Sequence, residues 1–289
     1  MRTHLVSRRL ARRRRGLITL SLSDHPPLSP PPASPDPEIT EMDIHIRRLG
    51  AAYDGLKIVQ LTDIHHSLYT PLEDVERAVK MANQLQPDLV ALTGDYVTFS
   101  PNYIQPVAQV LGRLQARLGV FAVLGNHDFQ VDADQMTRAL EAHRIHVLRN
   151  SHFALASRRD RLWMVGVDDL WWSADDLEAA MRHVPPHDPK ILLCHNPVGI
   201  HMAAGHHIDL VLSGHTHGGQ VRLPVVGGLY TRSKLGKKFI AGWNRLDGTQ
   251  IYISRGIGKV LVPLRVNCPP EIACLNLRAG GPTRTHEVS

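Results

Sequence analysis

Five short, mostly apolar runs punctuate the chain, and each stops at a small polar cluster. The runs are Leu56–Leu61, Asp88–Leu92, Val120–Leu124, Lys190–Cys194 and Ile208–Leu212. Apolar stretches this short, with little polar alternation, predict strands buried on both faces, the pattern of a parallel sheet covered by helices. Helical periodicity fills the intervals and predicts helices over 72–85, 103–117, 133–143 and 174–182. Ahead of them, residues 42–48 alternate Ile44 and Ile46 with polar positions and predict an edge strand. After Gly214 the helical period stops. Short runs at 220–223, 238–243, 250–254 and 272–277, broken by glycine and proline, predict antiparallel strands. A helix-rich first half and a strand-rich end predict an α/β fold of two sheets packed as a sandwich and flanked by helices; there is no internal repeat.

The polar clusters carry the candidate chemistry. They are Asp63-Ile64-His65, Gly94-Asp95, Gly125-Asn126-His127-Asp128, His195-Asn196-Pro197 and Gly214-His215-Thr216-His217. Each falls at the carboxyl end of a predicted strand, where α/β folds commonly place their reactive groups. Each alone has an ordinary explanation as a turn or a helix cap. Order and spacing change this: 32 residues separate Asp63 from Asp95 and 31 separate Asp95 from Asn126, room for one helix and one strand each time. Carboxylate, imidazole and amide oxygen are the donors that two divalent cations about 3.5–4 Å apart require. Asp95, alone after its strand, is the candidate bridge. Asp63 and His65 with one of His215 and His217 would complete one cation; Asn126 and His195 with the other histidine would complete the second. Side chains two residues apart diverge in an extended loop, which suits one histidine per cation.

The ordered set D-x-H, G-D, G-N-H-D, H and G-H-x-H resembles the calcineurin-like metallophosphoesterase superfamily, from Asp63 to His217 and more loosely to about Arg278. The resemblance implies a four-layer αββα fold and two divalent metal ions, Mn, Zn or Fe. It implies Asp63, His65, Asp95 and His217 on one ion, Asp95, Asn126, His195 and His215 on the other, and His127 as a catalytic histidine outside the ligand set. Gly218-Gly219-Gln220, Arg255-Gly256-Ile257-Gly258 and residues 267–272 resemble the branch of membrane-associated UDP-2,3-diacylglucosamine pyrophosphohydrolases. Two departures stand out. His66-Ser67 replaces the glycine often found after the first motif, and Asp95 is followed by Tyr96-Val97-Thr98 where protein phosphatases carry G-D-x-x-D-R. The implied reaction is metal-assisted hydrolysis of a phosphodiester or pyrophosphate, the substrate lipid-linked or a nucleotide-sugar lipid. His127 would act on the phosphoryl or leaving oxygen, and Asp128 would orient a neighbour or cap the next helix.

Composition refines the picture only at the edges. At 289 residues and 43% hydrophobic content the chain can bury a large core. Of the net charge of +6, +4 sits in residues 1–40, so the near-neutral remainder argues against a nucleic-acid partner and a DNA-directed nuclease. A metal-free binding scaffold of the same fold would lack ligands, and all seven candidates are present. Residues 1–40 read as a basic, proline-rich arm, 41–280 as the catalytic domain and 281–289 as a tail. The apolar stretch from Gly16 to Leu22 is too short to span a bilayer. The arm is expected to give peripheral contact with anionic lipid, placing the protein in the cytoplasm or on the inner membrane, with twin-arginine-like export as the alternative. Cys194, Cys268 and Cys274 read as small buried hydrophobes. Arg255 and Arg265 are the candidate substrate-phosphate contacts, Trp171 and Trp172 candidate contacts for an apolar group, and His66 is open to a role behind a ligand or on substrate. His143, His146, His152, His183, His187, His201, His206 and His207 are expected to be solvated or satisfied side chains.

Overall fold

The architecture is read from a computed structural model that describes residues 34–157, 160–223, 227–228 and 239–281. Strands β1 (Glu38–Ile46), β2 (Lys57–Leu61), β3 (Leu89–Leu92), β4 (Val120–Ala122) and β5 (His146–Val147) join β14 (Glu271–Ala279) in one sheet of order β1-β14-β2-β3-β4-β5. Strands β6 (Ser151–Ala156), β7 (Arg161–Gly166), β8 (Lys190–Leu193), β9 (Leu210–Ser213), β12 (Gly242–Leu246) and β13 (Thr249–Ile253) form a second, of order β12-β13-β9-β8-β7-β6. A two-residue ribbon pairs β10 (Arg222–Leu223) with β11 (Gly227–Gly228). Strands β2 to β5 run parallel, as do β7, β8, β9 and β13, so the carboxyl ends within each set share one edge.

The strands are continuous apolar runs because both faces are covered. Ile58, Leu89 and Phe121 pack with Ile191, Leu193, Leu210 and Leu212 between the two sheets. Their neighbours Val59, Val90 and Leu92 face the other way and meet Val75 and Ala78 of α1 (Leu72–Gln84), Val107 of α2 (Ile104–Leu111) and Leu140 of α4 (Ala133–Ala142). On the second sheet Leu192, Val211 and Ile251 pack with Leu177 of α5 (Leu177–Ala180) and Ala203 of α6 (Ile200–Ala204). The result is the four-layer αββα sandwich. Its sheets are also joined by polar groups: the buried Gln60 amide donates to Thr93 Oγ1 (2.9 Å) and to the Ser213 carbonyl (2.9 Å) across the sandwich. The Glu271 carboxylate of β14 accepts from Tyr252 OH (2.6 Å) of β13.

Several elements differ from the sequence expectation for local reasons. The expected edge strand is present and starts earlier, at Glu38, with Asp36 ahead of it paired to Arg77 of α1. Helix α2 stops at Leu111 with Gly112 as its cap, a position where a Cβ would lie 2.7 Å from the His143 side chain. Helix α5 is a single turn, capped by Asp176. The antiparallel hairpin of β6 and β7 is not among the predicted strands, although the run of β7 ends at Asp168-Asp169. The strands after Gly214 are not all antiparallel: β13 lies parallel to β9 and β14 parallel to β1, since long returns bring each to a distant neighbour. Gln220 is not in a strand but in a left-handed turn at φ 44°. Residues 1–33, most of the basic arm, lie outside the described residues, as do 282–289 of the tail and Lys238.

Leu212 is fully buried between the sheets. Leu212→Ala should destabilise the fold by about 2–5 kcal/mol in urea unfolding, the cost of a cavity in a close-packed core. A loss below about 1 kcal/mol would mean that this layer does not hold the sandwich together.

Candidate metal centre

All seven candidate ligands meet at the carboxyl edge of the two sheets. Asp63 and His65 follow β2, Asp95 follows β3, and Asn126 opens α3 (Asn126–Val131) after β4. The second sheet supplies His195 after β8 and His215 and His217 after β9. Five of the seven, Asp63, His65, Asp95, His215 and His217, have positive φ between 48° and 70°. This conformation disfavours side chains with a Cβ but is entered by Asp and His more readily than by most residues. It folds each loop back over its strand end while keeping the pairing: Asp63 N–H donates to Gly94 O (2.9 Å) and His65 N–H to Asp95 O (3.0 Å). Gly94 itself sits at φ 97°, where a Cβ would lie 2.6 Å from Gly125 N and 2.8 Å from His195 Nδ1.

The ligating atoms fall into clusters that meet at Asp95. His65 Nε2 and His217 Nε2 converge to 3.0 Å, and His217 Nε2 is 3.3 Å from Asp63 Oδ1. Asp95 Oδ2 lies 3.1 Å from His195 Nε2 and 3.4 Å from His65 Nε2, and His195 Nε2 is 3.3 Å from His215 Nδ1. Asp63, His65 and His217 thus form one group with ligating atoms within 4.8 Å, and Asp95, His195 and His215 another. His127 joins a third with His65 and Asp95, its ring edge-on to His65 at 4.8 Å, and its backbone N–H donates to Asp95 Oδ1 (2.8 Å). Outer partners fix the rings. The Thr93 carbonyl (2.7 Å) takes the Nδ1 proton of His195, and Thr98 Oγ1 lies 2.6 Å from His65 Nδ1. Each arrangement turns Nε2 toward the cluster.

The donor set fits divalent cations. Asn126 Oδ1 is buried with no hydrogen-bond partner among the described residues, a costly state unless something else satisfies it. Burial holds the imidazoles of His65 and His217 well below their ordinary pKa, the neutral form a metal ligand needs. At His195 burial is outweighed by Asp95, Asp63 and Asp169, which push it up to about 10. Burial opposes ionisation of Asp95, yet His195 and His127 hold it well below the usual carboxylate range. A pit of buried carboxylates therefore calls for positive charge at its centre.

The surroundings assign several residues left open by the sequence. Asp128 both caps and orients: fully buried, it accepts from Gly125 N–H (2.9 Å) at the start of α3 and from Asp95 (2.8 Å) and Tyr96 (2.9 Å) in the neighbouring loop. His66 is turned to the Thr70 carbonyl (3.0 Å) and the Tyr103 ring. Arg255 pairs with Glu271 (3.1 Å) and Glu38 (2.9 Å), and Arg265 donates to the carbonyls of Gly258 (2.7 Å) and Arg255 (2.9 Å) beside His217. Both guanidiniums hold the loops beside the site, and Arg265 Nη2 lies 3.4 Å from His217 Nδ1. Trp171 and Trp172 lie on a loop at the site, not in the core: Trp172 Nε1 donates to the Asn126 carbonyl (3.0 Å), and the Trp171 ring meets His215 at 5.8 Å. Sequence reasoning missed Asp169, whose buried carboxylate takes the backbone N–H groups of both tryptophans (2.9 and 3.2 Å). An Asp able to accept from the N–H groups two and three residues on is the one local signal for it. The cysteines are free and buried, and the remaining described histidines stay outside the clusters.

Residues 56–219 match the calcineurin-like phosphoesterase family, and the chain belongs to it. It is a metal-dependent phosphoester hydrolase by membership. Among similar proteins, the uncharacterized metallophosphoesterase YkuE of Bacillus subtilis is 33% identical over 246 residues, 84% of this chain and 86% of that protein. The phosphodiesterase YaeI of Escherichia coli is 34% identical over 229 residues, 76% of this chain and 82% of the relative. A Danio rerio protein named transmembrane protein with metallophosphoesterase domain is 31% identical over 260 residues, and the match spans 58% of its length. Among the described residues of this chain no helix is long and apolar enough to cross a membrane.

Asp128→Ala should cost about 3 kcal/mol or more of stability, because it strands buried N–H donors in two loops. Thermal melts should show it even in chelator. An unchanged melting temperature would mean that the two loops hold their shape without this carboxylate.

Proposed function

We propose that this chain hydrolyses a phosphodiester or pyrophosphate at a centre of two divalent cations, Mn, Zn or Fe. Asp63, His65, Asp95 and His217 would hold one cation, and Asp95, Asn126, His195 and His215 the other. The observation that carries this reading is the meeting of two Asp/His clusters at one carboxylate, with the unsatisfied Asn126 Oδ1 beside them. Bound there, the cations would lower the pKa of a water and neutralise charge growing on the phosphoryl oxygens. Water adds to phosphorus in line as the bond to the leaving oxygen breaks. The His127 imidazole, half-buried at the mouth of the pit and close to His65, delivers a proton to that leaving oxygen. Asp95, held by the His127 N–H, keeps the two halves of the centre in register.

The substrate proposed is lipid-linked, of the UDP-2,3-diacylglucosamine type. Support comes from the Gly-His-Thr-His-Gly-Gly-Gln sequence, the phosphodiesterase name of the Escherichia coli relative, and the lack of the protein-phosphatase element after Asp95. The two indoles beside Asn126 and His215 supply an apolar flank. The basic arm is proposed as a peripheral membrane contact, and the protein as cytoplasmic or bound at the inner membrane.

Asp95→Asn should remove both metal and activity, because the shared carboxylate balances two cations. His127→Ala should keep about two metal ions per chain by elemental analysis while turnover falls roughly 10²–10⁴-fold, the usual contribution of a general acid. Loss of metal from the His127 variant would place that histidine among the ligands.

A lipid-linked pyrophosphate should show a higher kcat/KM than a small chromogenic diester, since binding of remote groups is realised in the transition state. Equal values, or a preference for phosphomonoesters, would sink the lipid assignment and leave the hydrolase reading in place.

A further inference from the structure

Asp169 has no part in the two candidate ligand sets, yet it stands beside them. Strands β7 and β8 pair in parallel with Gly166 beside Leu193, and Val167 N–H donates to the Leu193 carbonyl (3.3 Å), so Asp169 and His195 leave adjacent strand ends. The Asp169 side chain is 1% exposed. Its Oδ1 accepts the backbone N–H groups of Trp171 and Trp172, a turn that an asparagine would hold equally well. Its Oδ2 is surplus to that turn: it is buried and, among the described residues, has no hydrogen-bond partner. Among the same residues no lysine or arginine forms an ion pair with it, Arg149 being taken by Asp168 and Asp134. A buried charge without a partner is costly. Burial accordingly pushes this carboxyl up to about 6, although the His195 charge opposes the rise.

The two candidate cations are unequally provided with negative charge. Asp63 and Asp95 would serve the first, whereas the second would share Asp95 and otherwise meet the neutral Asn126 amide and the imidazoles of His195 and His215. The tryptophan loop lies on the poorer side. Trp172 Nε1 donates to the Asn126 carbonyl (3.0 Å) and the Trp171 ring meets His215 at 5.8 Å, so the two residues that Asp169 holds touch two candidate ligands of the second cation. We propose that Asp169 supplies the negative charge that the second cation lacks among its ligands, without ligating it. Its oxygens stay outside the three groups of converging ligand atoms. Its charge nevertheless reaches the site, being among those that raise the His195 pKa. The other acids of this stretch are differently placed: Asp168 pairs with Arg149, Asp176 caps α5 and Asp175 is only half-buried. A buried carboxylate beside a dication is favourable in the loaded protein and costly in the empty one. Asp169 therefore strengthens metal binding at the expense of the metal-free fold.

The inference rests on the two-cation reading of the site and not on its substrate. Its test is Asp169→Asn, which keeps an oxygen on the tryptophan N–H groups and removes only the charge. The full chain, stripped of metal, is titrated with Mn²⁺ by calorimetry. Wild type should take up two ions. The variant should hold one as tightly as wild type and the other about 10–100-fold more weakly, the usual cost of losing a partner behind the ligands. In chelator the variant should melt at least as high as wild type with unchanged tryptophan emission, and Mn²⁺ should then raise its melting temperature less. In His195→Ala, which should keep only the first cation, adding Asp169→Asn should weaken Mn²⁺ binding no further. Two ions held with wild-type affinity by Asp169→Asn, or equal weakening in the His195→Ala background, would overturn the inference. So would a variant that melts lower in chelator with altered tryptophan emission, since Asp169 would then serve only to shape the loop. A wild type that takes up fewer than two Mn²⁺ ions would instead reject the two-cation reading itself, and this inference with it.

Discussion

The Asp128 carboxylate holds the centre together. Its two oxygens receive backbone N–H groups from the loop after β3 and from the turn that opens α3, so the position of Asp95 is set relative to Asn126 and His127. Burial, with Asp95 nearby, pushes the carboxyl up to about 7, and the donors offset that cost by favouring the ionised form. Without such an anchor, a loop with Asp95 at φ 58° would relax toward commoner backbone conformations. The same logic repeats at smaller scale: Asp63 receives the His215 N–H (3.0 Å) and Asp95 the His127 N–H (2.8 Å). Carboxylates that face the pit thus also hold the loops around it.

Much of this was legible in the sequence because burial on both faces and strand-end placement leave local marks. Val59 and Val90 need apolar neighbours outward as firmly as Ile58 and Leu89 need them inward, and the runs show it. Less legible were features whose meaning lies in a distant partner. Arg255 shows in sequence only as a cation, and its two carboxylate partners, Glu271 of β14 and Glu38 of β1, lie far off along the chain. Trp171 and Trp172 read as candidate contacts for an apolar group, but what holds them at the site, Asp169 and the Asn126 carbonyl, shows only in the fold. The run of β7 also ends at a polar pair, Asp168-Asp169, and it is the fold that shows Asp169 holding the tryptophan loop beside the site.

Rigidity and exposure are divided along the molecule. The layers between and outside the sheets are apolar and closed, while backbone conformations rare for side chains with a Cβ gather in the loops at the carboxyl edge. Loops of this kind stay in place only where surrounding structure over-determines them, and here pairing beyond the strand ends does so. The exposed apolar residues Leu261, Val262 and Leu264 hang from that frame. Gln220, three residues past His217, is at once the end of the histidine loop and the clamp of the apolar turn, so the pit and its rim share one support.

The Gln60 amide has a consequence of another kind. Asp63, His65, Asp95 and Asn126 descend from one sheet and His195, His215 and His217 from the other, so no single sheet owns a whole candidate ligand set. Gln60 spans the gap directly beneath, touching Thr93 on one side and Ser213 on the other. It acts as a caliper. The distance at which the two halves of the pit face each other is the thickness of the sandwich, read out at its edge. Core side chains far from any phosphate, by their volume alone, therefore tune how tightly the mouth closes.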